Sequence, residues 1–402
     1  MTTLRIKENI AAAAEILRRG GLVAVPTETV YGLAGNALDE NAVRTIYEVK
    51  GRPEIKPLSM MVADDGAMER WCVDVPKAAH ALAARFWPGP LTIVLRSGSD
   101  VPEITRAGGA TVGLRCPDHP LTLALLREIG LPLAAPSANP SGAPSPKCAD
   151  EVMDYFDGRI DAVLDGGQCG IGRESTIIDL SAPPYRILRQ GALPRSELLQ
   201  ALRESMTVVG ITGGTGCGKT TALNVLRAKG ALILDCDEIY HELTVSSEAM
   251  RTELIERFGP VYDGTTLLRK TLGAIVFSDP AALRDLNVIT HKYVSDELTR
   301  LLTEHALNGG TLAAIDAIGL LDIDHANRTA FNVAITAPTE ARIERLMQRE
   351  KITRDYALQR IRAQKSNEYF AQHCDYVLDN AGTLAEFEEK CEKFFTEVLK
   401  NV

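Results

Sequence analysis

The sequence has no paired cysteines, no long apolar run and no excess of basic charge. Its eight cysteines are scattered, with no C-x-x-C pair and no clustered histidine and cysteine set. A structural zinc site is therefore not expected, and the thiols read as the reduced thiols of a cytoplasmic chain. No apolar stretch reaches the ~20 residues of a membrane-spanning helix, so no membrane association is expected. The alanine run near the start belongs to KENIAAAAEILRRGG, where Ile6, Ile10, Ala13 and Leu17 recur at helical spacing. Arg18 and Arg19 before Gly20 and Gly21 form a conventional helix end, which argues against a signal peptide.

Net charge is −9, and it is shared by both halves. The 22 basic and 25 acidic residues before Met206 leave −3, and the 22 and 28 from there onward leave −6. Neither half has the basic balance of a nucleic-acid surface, and direct DNA binding is not expected. There is no low-complexity tract and no repeat at solenoid periods. With 402 residues, 45% of them hydrophobic and 24% charged, the chain has core enough for two or three globular domains of about 150 residues each.

What is present divides near residue 200. Residues 1–200 read as one domain, 201–206 as a short linker, and 207–402 as a second domain opening on the apolar strand TVVGIT. In the first, short strands such as LVAVPT, LSMMVA, LTIVLR, TVGLRCP and STIIDL often adjoin turns with no helix between them. A twisted, mixed α/β fold with antiparallel pairs is expected. In the second, TVVGIT, ALILDCD, LAAIDAI and FNVAITAP alternate with helices, which implies a parallel sheet covered on both faces. A long charged helical region is expected from Thr339 to Phe370.

The stretch VVGITGGTGCGKTTALNVL carries Gly213, Gly218, Lys219 and Thr220 at G-x-x-x-x-G-K-T spacing, between a β-branched strand and a helix. Glycines at these positions let backbone N–H groups converge on phosphate oxygens. Gly214, Gly216, Cys217 and Thr221 belong to the same expected ATP-binding loop. Lys219 is placed to neutralise β and γ phosphates and Thr220 to ligate Mg²⁺. Downstream, ALILDCDEI ends in Asp235 and Asp237, two residues apart and so on one side of an extended chain. One of them is a candidate proton acceptor. Asp316, at the end of LAAIDAI, is a candidate acid for the magnesium shell.

Taken with LILDCDEIYHEL, DGTTLLRKTLGAIVFSD, LNVITHKYV and HCDYVLDN in that order, this loop resembles dephospho-CoA kinase from about Thr207 to the end. The resemblance implies a P-loop kinase fold with a helical lid and transfer of the ATP γ-phosphate to the ribose 3′-hydroxyl of dephospho-CoA. It implies Asp237 as general base, Arg269 and His291 near the acceptor, and Arg345 and Arg349 as lid arginines. Two departures stand out. The family pattern D-x-P-L-L-F-E reads DAIGLLD here, without the proline and ending in Asp322, which puts the acceptor pocket wall in question. Cys217 stands where the family commonly has serine.

No Walker motif precedes Met206, so a nucleotide in the first half must be held by side chains. PTETVYGLAGNA offers the hydroxyls of Thr27 and Thr29 after an apolar strand. KGRPEIKPLS places Lys50, Arg52 and Lys56 in and beside a loop, where functional residues concentrate. APSANPSGAPSP is a proline-stiffened loop presenting Ser137 and Asn139. Arg115 and Arg189 each end an apolar strand, an awkward place for a cation unless it faces a cleft, and Ser175 with Thr176 begins another strand.

In this order the PTETVYGL, K-G-R, KPLS, S-A-N and REST segments resemble the YrdC-like threonylcarbamoyl-AMP synthases over about residues 5–200. The resemblance implies that L-threonine, bicarbonate and ATP, with magnesium, give threonylcarbamoyl-AMP and pyrophosphate. It implies further that the product feeds the threonylcarbamoyladenosine modification of tRNA. Lys50, Arg52 and Arg189 are expected to neutralise charge on the leaving pyrophosphate, which is electrostatic catalysis without a side-chain nucleophile. Arg115 and Ser175 are candidates to hold threonine or phosphate. Other readings make the first half an RNA-binding module and the second a different small-molecule kinase or a nucleotide sensor. Joining two such enzymes would serve co-expression or docking to other tRNA-modification proteins.

Overall fold

Two short apolar triplets, Val23–Val25 and Ala162–Leu164, pair side by side inside the first sheet and show no exposed residue, as strands covered on both faces require. The computed structural model describes residues 2–320 and 328–400. The chain divides into two compact units, Met1–Ser205 with Leu307–Gly309, and Met206–Ala306 with Gly310–Val402.

Among the described residues the first unit holds ten strands: β1 (Leu4–Ile6), β2 (Val23–Val25), β3 (Gly32–Asn36), β4 (Met60–Met61), β5 (Leu91–Arg96), β6 (Thr111–Arg115), β7 (Leu133–Ala134), β8 (Ala162–Leu164), β9 (Thr176–Asp179) and β10 (Arg186–Arg189). Their order in one sheet is β1-β8-β2-β3-β7-β4-β6-β5-β9-β10. Pairing is mixed, parallel at β1/β8, β2/β8, β4/β6 and β5/β9 and antiparallel at the other contacts. The antiparallel pairs β2/β3, β5/β6 and β9/β10 join consecutive strands with no crossover helix between them, whereas β3/β7 and β4/β7 pair across long stretches of chain. Helices Ile10–Arg18 and Pro120–Ile129 cover the sheet through Ala13, Ala14, Leu17, Leu125, Leu126 and Ile129.

The second unit contains β11 (Thr207–Thr212), β12 (Leu232–Asp235), a small hairpin of β13 (Tyr262–Asp263) and β14 (Thr266–Leu267), then β15 (Leu312–Asp316), β16 (Phe331–Thr336) and β17 (Tyr376–Asp379). Its main sheet, β12-β15-β11-β16-β17, is parallel throughout. Helix Lys219–Ala228 and the capped C-terminal helix Leu384–Val398 pack on it through Ala222, Leu226, Phe387 and Phe395. The register pairs Ile211 and Asp235 with Asp316, gathering the phosphate loop and two carboxylates at the carboxyl edge, where the strand order reverses.

Two local expectations change. Residues 201–204 are not linker but the last turn of helix Arg195–Glu204. The region from Thr339 is three helices, Thr339–Glu350, Arg354–Arg362 and Asn367–His373. The breaks have local causes: Lys351 closes the first helix at a φ of 56°, and the side chains of Thr353 and Ser366 cap the next two. Among the described residues no helix is long and apolar enough to cross a membrane.

Candidate active sites

In the first unit a cavity of about 350 Å³ is lined by Arg52, Arg115, Ser137, Ser175 and Arg189, all expected site residues. They come from a loop after helix Glu40–Lys50, the end of β6, the loop after β7, the start of β9 and the end of β10. Each guanidinium is fixed from behind. Arg115 donates to Glu28 Oε1 and to Thr29 Oγ1, both at 2.7 Å, in an ion pair that is largely shielded from solvent. Arg189 donates through Nε to the Ser175 carbonyl (3.0 Å), through NH2 to Ser175 Oγ (3.1 Å) and through NH1 to Glu174 (3.0 Å). Arg52 donates to the carbonyls of Lys56 and Pro57. Burial, together with the like charge of Arg189, holds the Arg52 guanidinium below its ordinary pKa. Three guanidinium groups around one space, two of them already paired with glutamates, favour an anion there.

Five other expected residues do not line the cavity. Thr27 and Thr29 are fully buried and bond each other at 2.8 Å. Thr27 Oγ1 also donates to the Val30 carbonyl and accepts from the amides of Thr29 and Val30. A hydroxyl has one donor and two acceptor positions, so Thr27 is spent on closing its own loop. Lys50 is buried, its Nζ donating to the carbonyls of Ser137 and Asn139. Burial, reinforced by the Arg52 charge, brings its pKa down to about 7. It pins the S-A-N loop rather than facing the cavity. The Asn139 amide donates to the carbonyls of Pro140 and Ala143 and shapes the same loop from within. Lys56 is exposed and contributes its carbonyl, which accepts from Arg52 and Tyr47.

Residues not singled out in the sequence complete the wall. Thr92 bonds Ser175 Oγ at 2.8 Å, and Glu174 bridges Arg189 to Ser145. Glu174 lies inside the REST segment and Glu28 between the two threonines, so proximity could have flagged both. Thr92 is an ordinary strand position with no such signal.

In the second unit the loop Gly214–Thr220 borders a cavity of about 430 Å³. Gly213 takes a φ of 139° and a Cβ there would fall 2.2 Å from the Ile335 carbonyl oxygen, so only glycine fits. Gly214, Gly216, Cys217, Gly218, Lys219 and Thr220 line the space, while Gly213 and Thr221 stand behind it. Lys219 Nζ donates to the Gly213 carbonyl (3.2 Å) and lies 3.8 Å from Asp316 Oδ1.

Opposite the loop stand Asp235, Asp237 and Asp316. The two aspartates of the D-x-D do not share an extended strand. Asp235 ends β12 and caps helix Cys236–Ser246, accepting from the amides of Asp237 and Glu238, and Asp237 occupies the first helical turn. Helix geometry thus brings Asp237 to the cavity. Burial, with smaller contributions from Asp235 and Asp237 and against the pull of Lys219, raises the Asp316 pKa to about 6. Its buried Oδ1 has no hydrogen-bond partner. A buried carboxylate oxygen with no hydrogen bond, facing Lys219 at 3.8 Å beside the phosphate loop and Thr220, would fit a magnesium ion that takes its other ligands from phosphate and water. Among the described residues no cluster of three or more histidine, cysteine, aspartate or glutamate side chains could hold a metal alone.

Arg345 and Arg349, on helix Thr339–Glu350, reach the same cavity. Arg345 donates to the Gly216 carbonyl and to both oxygens of Asn380. Arg360, on the next helix, joins them and was not expected. Arg269 and His291 are outside the cavity, at the start of helix Arg269–Val276 and within helix Pro280–Leu307. Asp322, at the end of DAIGLLD, lies outside the described residues. Cys217 is fully buried, as its small side chain allows.

The Sua5/YciO/YrdC family model, described as telomere recombination, matches residues 15–191, and the CoaE model, described as dephospho-CoA kinase, matches residues 207–386. A threonylcarbamoyl-AMP synthase of Pyrococcus abyssi is 48% identical over 201 residues, covering 50% of this chain and 59% of that protein. One of Bacillus subtilis is 49% identical over 191 residues, covering 47% and 55%. A putative threonylcarbamoyl-AMP synthase of Methanocaldococcus jannaschii is 37% identical over 185 residues, covering 46% of this chain and 86% of that protein. The chain thus spans little more than half the length of the first two of these relatives. Among solved structures, P. abyssi Sua5 complexed with L-threonine matches at a TM-score of 0.49 and 29% identity, over 82% of this chain and 96% of that one. The chain belongs to the Sua5/YciO/YrdC family through its first half and carries a dephospho-CoA kinase domain in its second.

Proposed function

We propose that the chain is a bifunctional enzyme. The first unit converts L-threonine, bicarbonate and ATP to threonylcarbamoyl-AMP, pyrophosphate and water, and the second phosphorylates the 3′-hydroxyl of dephospho-CoA. The observation that carries this reading is the pair of separate cavities, each with convergent cations and each within a segment matched by one of the two families.

In the synthase cavity the carboxylate of N-carboxythreonine attacks the α-phosphate and pyrophosphate leaves. Arg52 and Arg189 offset the charge on the leaving group. Arg115, held by Glu28, is left to grip an anionic group of threonine or phosphate. Lys50 contributes by fixing the carbonyls that set the position of Ser137. The product then feeds tRNA modification, and a cytoplasmic setting accords with eight cysteines that are all free.

In the kinase cavity Asp237 takes the proton of the acceptor hydroxyl, whose oxygen attacks the γ-phosphorus as ADP departs. The loop amides and Lys219 hold the phosphates, and Arg345 and Arg349 stand over the transferring group. Thr220 and Asp316 would hold magnesium, which when bound draws charge off the phosphate oxygens. Arg269 and His291, outside this cavity, belong to the acceptor's own contacts.

One assay of the full chain tests both reactions: pyrophosphate release with threonine and bicarbonate, and ADP release with dephospho-CoA. Both are expected. No pyrophosphate would remove the synthase reading, and no ADP with dephospho-CoA would point to another acceptor.

A further inference from the structure

Behind the phosphate loop lies a charge that the protein does not balance. Arg342, near the start of helix Thr339–Glu350, is only 3% exposed. A guanidinium has five N–H donors and a fixed positive charge. Here Nε donates to the Thr215 carbonyl (2.9 Å) and NH2 to Gln364 Oε1 (3.3 Å). Gln364 Oε1 also accepts from the Thr215 amide at 2.8 Å. Both acceptors are neutral, and among the described residues Arg342 has no carboxylate partner.

Its position against the loop is close. A Cβ built on Gly214 would fall 2.2 Å from Arg342 NH2, and one on Gly216 would meet the Arg342 backbone at 3.0 Å. Gly214 and Gly216 line the cavity while Arg342 does not. The charge is felt across the loop: burial raises the Cys217 thiol pKa, and Arg342 is the strongest influence in the opposite direction. A buried cation without a counter-ion is costly, so its retention asks for an anion that arrives later.

We propose that this anion is the polyphosphate of the nucleotide, and that Arg342 is a positioning residue that sets ATP affinity from behind the loop. The inference rests on reading the loop as an ATP site, not on the identity of the acceptor. A structural alternative makes Arg342 only a tie between the loop and the helix. The two differ in what a neutral substitute does. Arg342→Gln keeps a donor for the Thr215 carbonyl but loses the charge, whereas Arg342→Lys keeps the charge and loses the planar fork.

The experiment titrates the full chain with ATP and magnesium while following hydrogen exchange in residues 208–226, which reads this site alone and needs no acceptor. Half-saturation in Arg342→Gln is expected to rise about tenfold, as loss of one desolvated unit charge near the phosphates implies. Arg342→Lys should stay within about threefold of the parent on the same scale. In turnover with dephospho-CoA, KM for ATP should rise with the exchange result while kcat at saturating ATP holds. ATP binding by Arg342→Gln equal to the parent's would overturn the proposal. So would an equal loss in the lysine variant, which would make the bond geometry the cause. If Arg342→Gln and Arg342→Met both fail to fold while Arg342→Lys folds, the charge serves the fold and the proposal falls. Unchanged exchange with ATP in the parent protein would instead remove the ATP-site reading itself.

Discussion

Two cavities of similar size, about 350 and about 430 Å³, are built from opposite materials. The first is made of side chains gathered from five places in a mixed sheet, and its arginines at 115 and 189 are each tethered to a glutamate. The second is made largely of the backbone of one short loop, and its Arg345 is held by carbonyl and amide oxygens instead. A site made of backbone amides depends on φ angles and so on glycine. One made of guanidinium groups depends on the carboxylates and carbonyls that hold them. Single substitutions should therefore fail differently in the two sites.

The largest effect is expected at Asp237. Asp237→Asn removes the proton acceptor without changing the loop, and kinase turnover should fall about 10³-fold. Pyrophosphate release by the synthase should stay at the parental level. ADP and pyrophosphate measured on one preparation check this, and loss of both would end the picture of two independent sites.

Gly213→Ala and Arg189→Gln set backbone against side chain directly. A methyl at Gly213 cannot coexist with the Ile335 carbonyl 2.2 Å away, so the loop must move. A displacement of that kind costs about a hundredfold in kinase kcat/KM. Arg189→Gln should cost the synthase about a hundredfold as well, as expected for one lost electrostatic contact to the leaving group. Its neighbour Glu174 sharpens the test. Glu174→Gln leaves the two bonds from Arg189 to Ser175 in place, so the loss should be several-fold smaller, an exposed ion pair being worth little.

The same contrast governs how much of each site is legible in the sequence. The phosphate loop is legible because its requirements are contiguous: strand, glycines, lysine and helix lie within twenty residues. The parallel sheet was legible from the alternation of apolar runs and helices. The first site was readable only as a set of segments. Within them the sequence cannot separate a side chain that faces the cavity from one that faces the loop. Thr27, Lys50 and Asn139 have ligand-like chemistry and are consumed by local bonds. Ser137, two residues from Asn139, faces the cavity. Arg342 was invisible for a related reason: a charged residue on a charged helix reads as solvated, and only packing reveals its burial. The D-x-D differs from an extended pair on a smaller point: the strand ends at Asp235, which caps the helix that begins at the next residue.

The smallest effect concerns Lys50, and it is an effect on stability. Its pKa is about 7 in the folded chain, from burial first and the Arg52 charge next, against an ordinary value near 10.4. Between those limits the unfolded chain holds a proton that the folded chain has released. Unfolding then takes up a proton, and stability rises with pH across the window, by at most about 1.4 kcal/mol per pH unit. Below about pH 7 both states are protonated and the penalty for burying the charge is present in full. The chain has two tryptophans, Trp71 and Trp87, both in the first unit, so their fluorescence reports its urea midpoint alone. That midpoint should climb from pH 7 toward pH 9 relative to Lys50→Met, which has no charge to relieve. Parallel pH profiles for the two proteins would mean that Lys50 keeps its proton inside the fold. In that case the loop carrying Ser137 is held by a full positive charge, and both cavities would then share the device of a buried cation behind a binding loop.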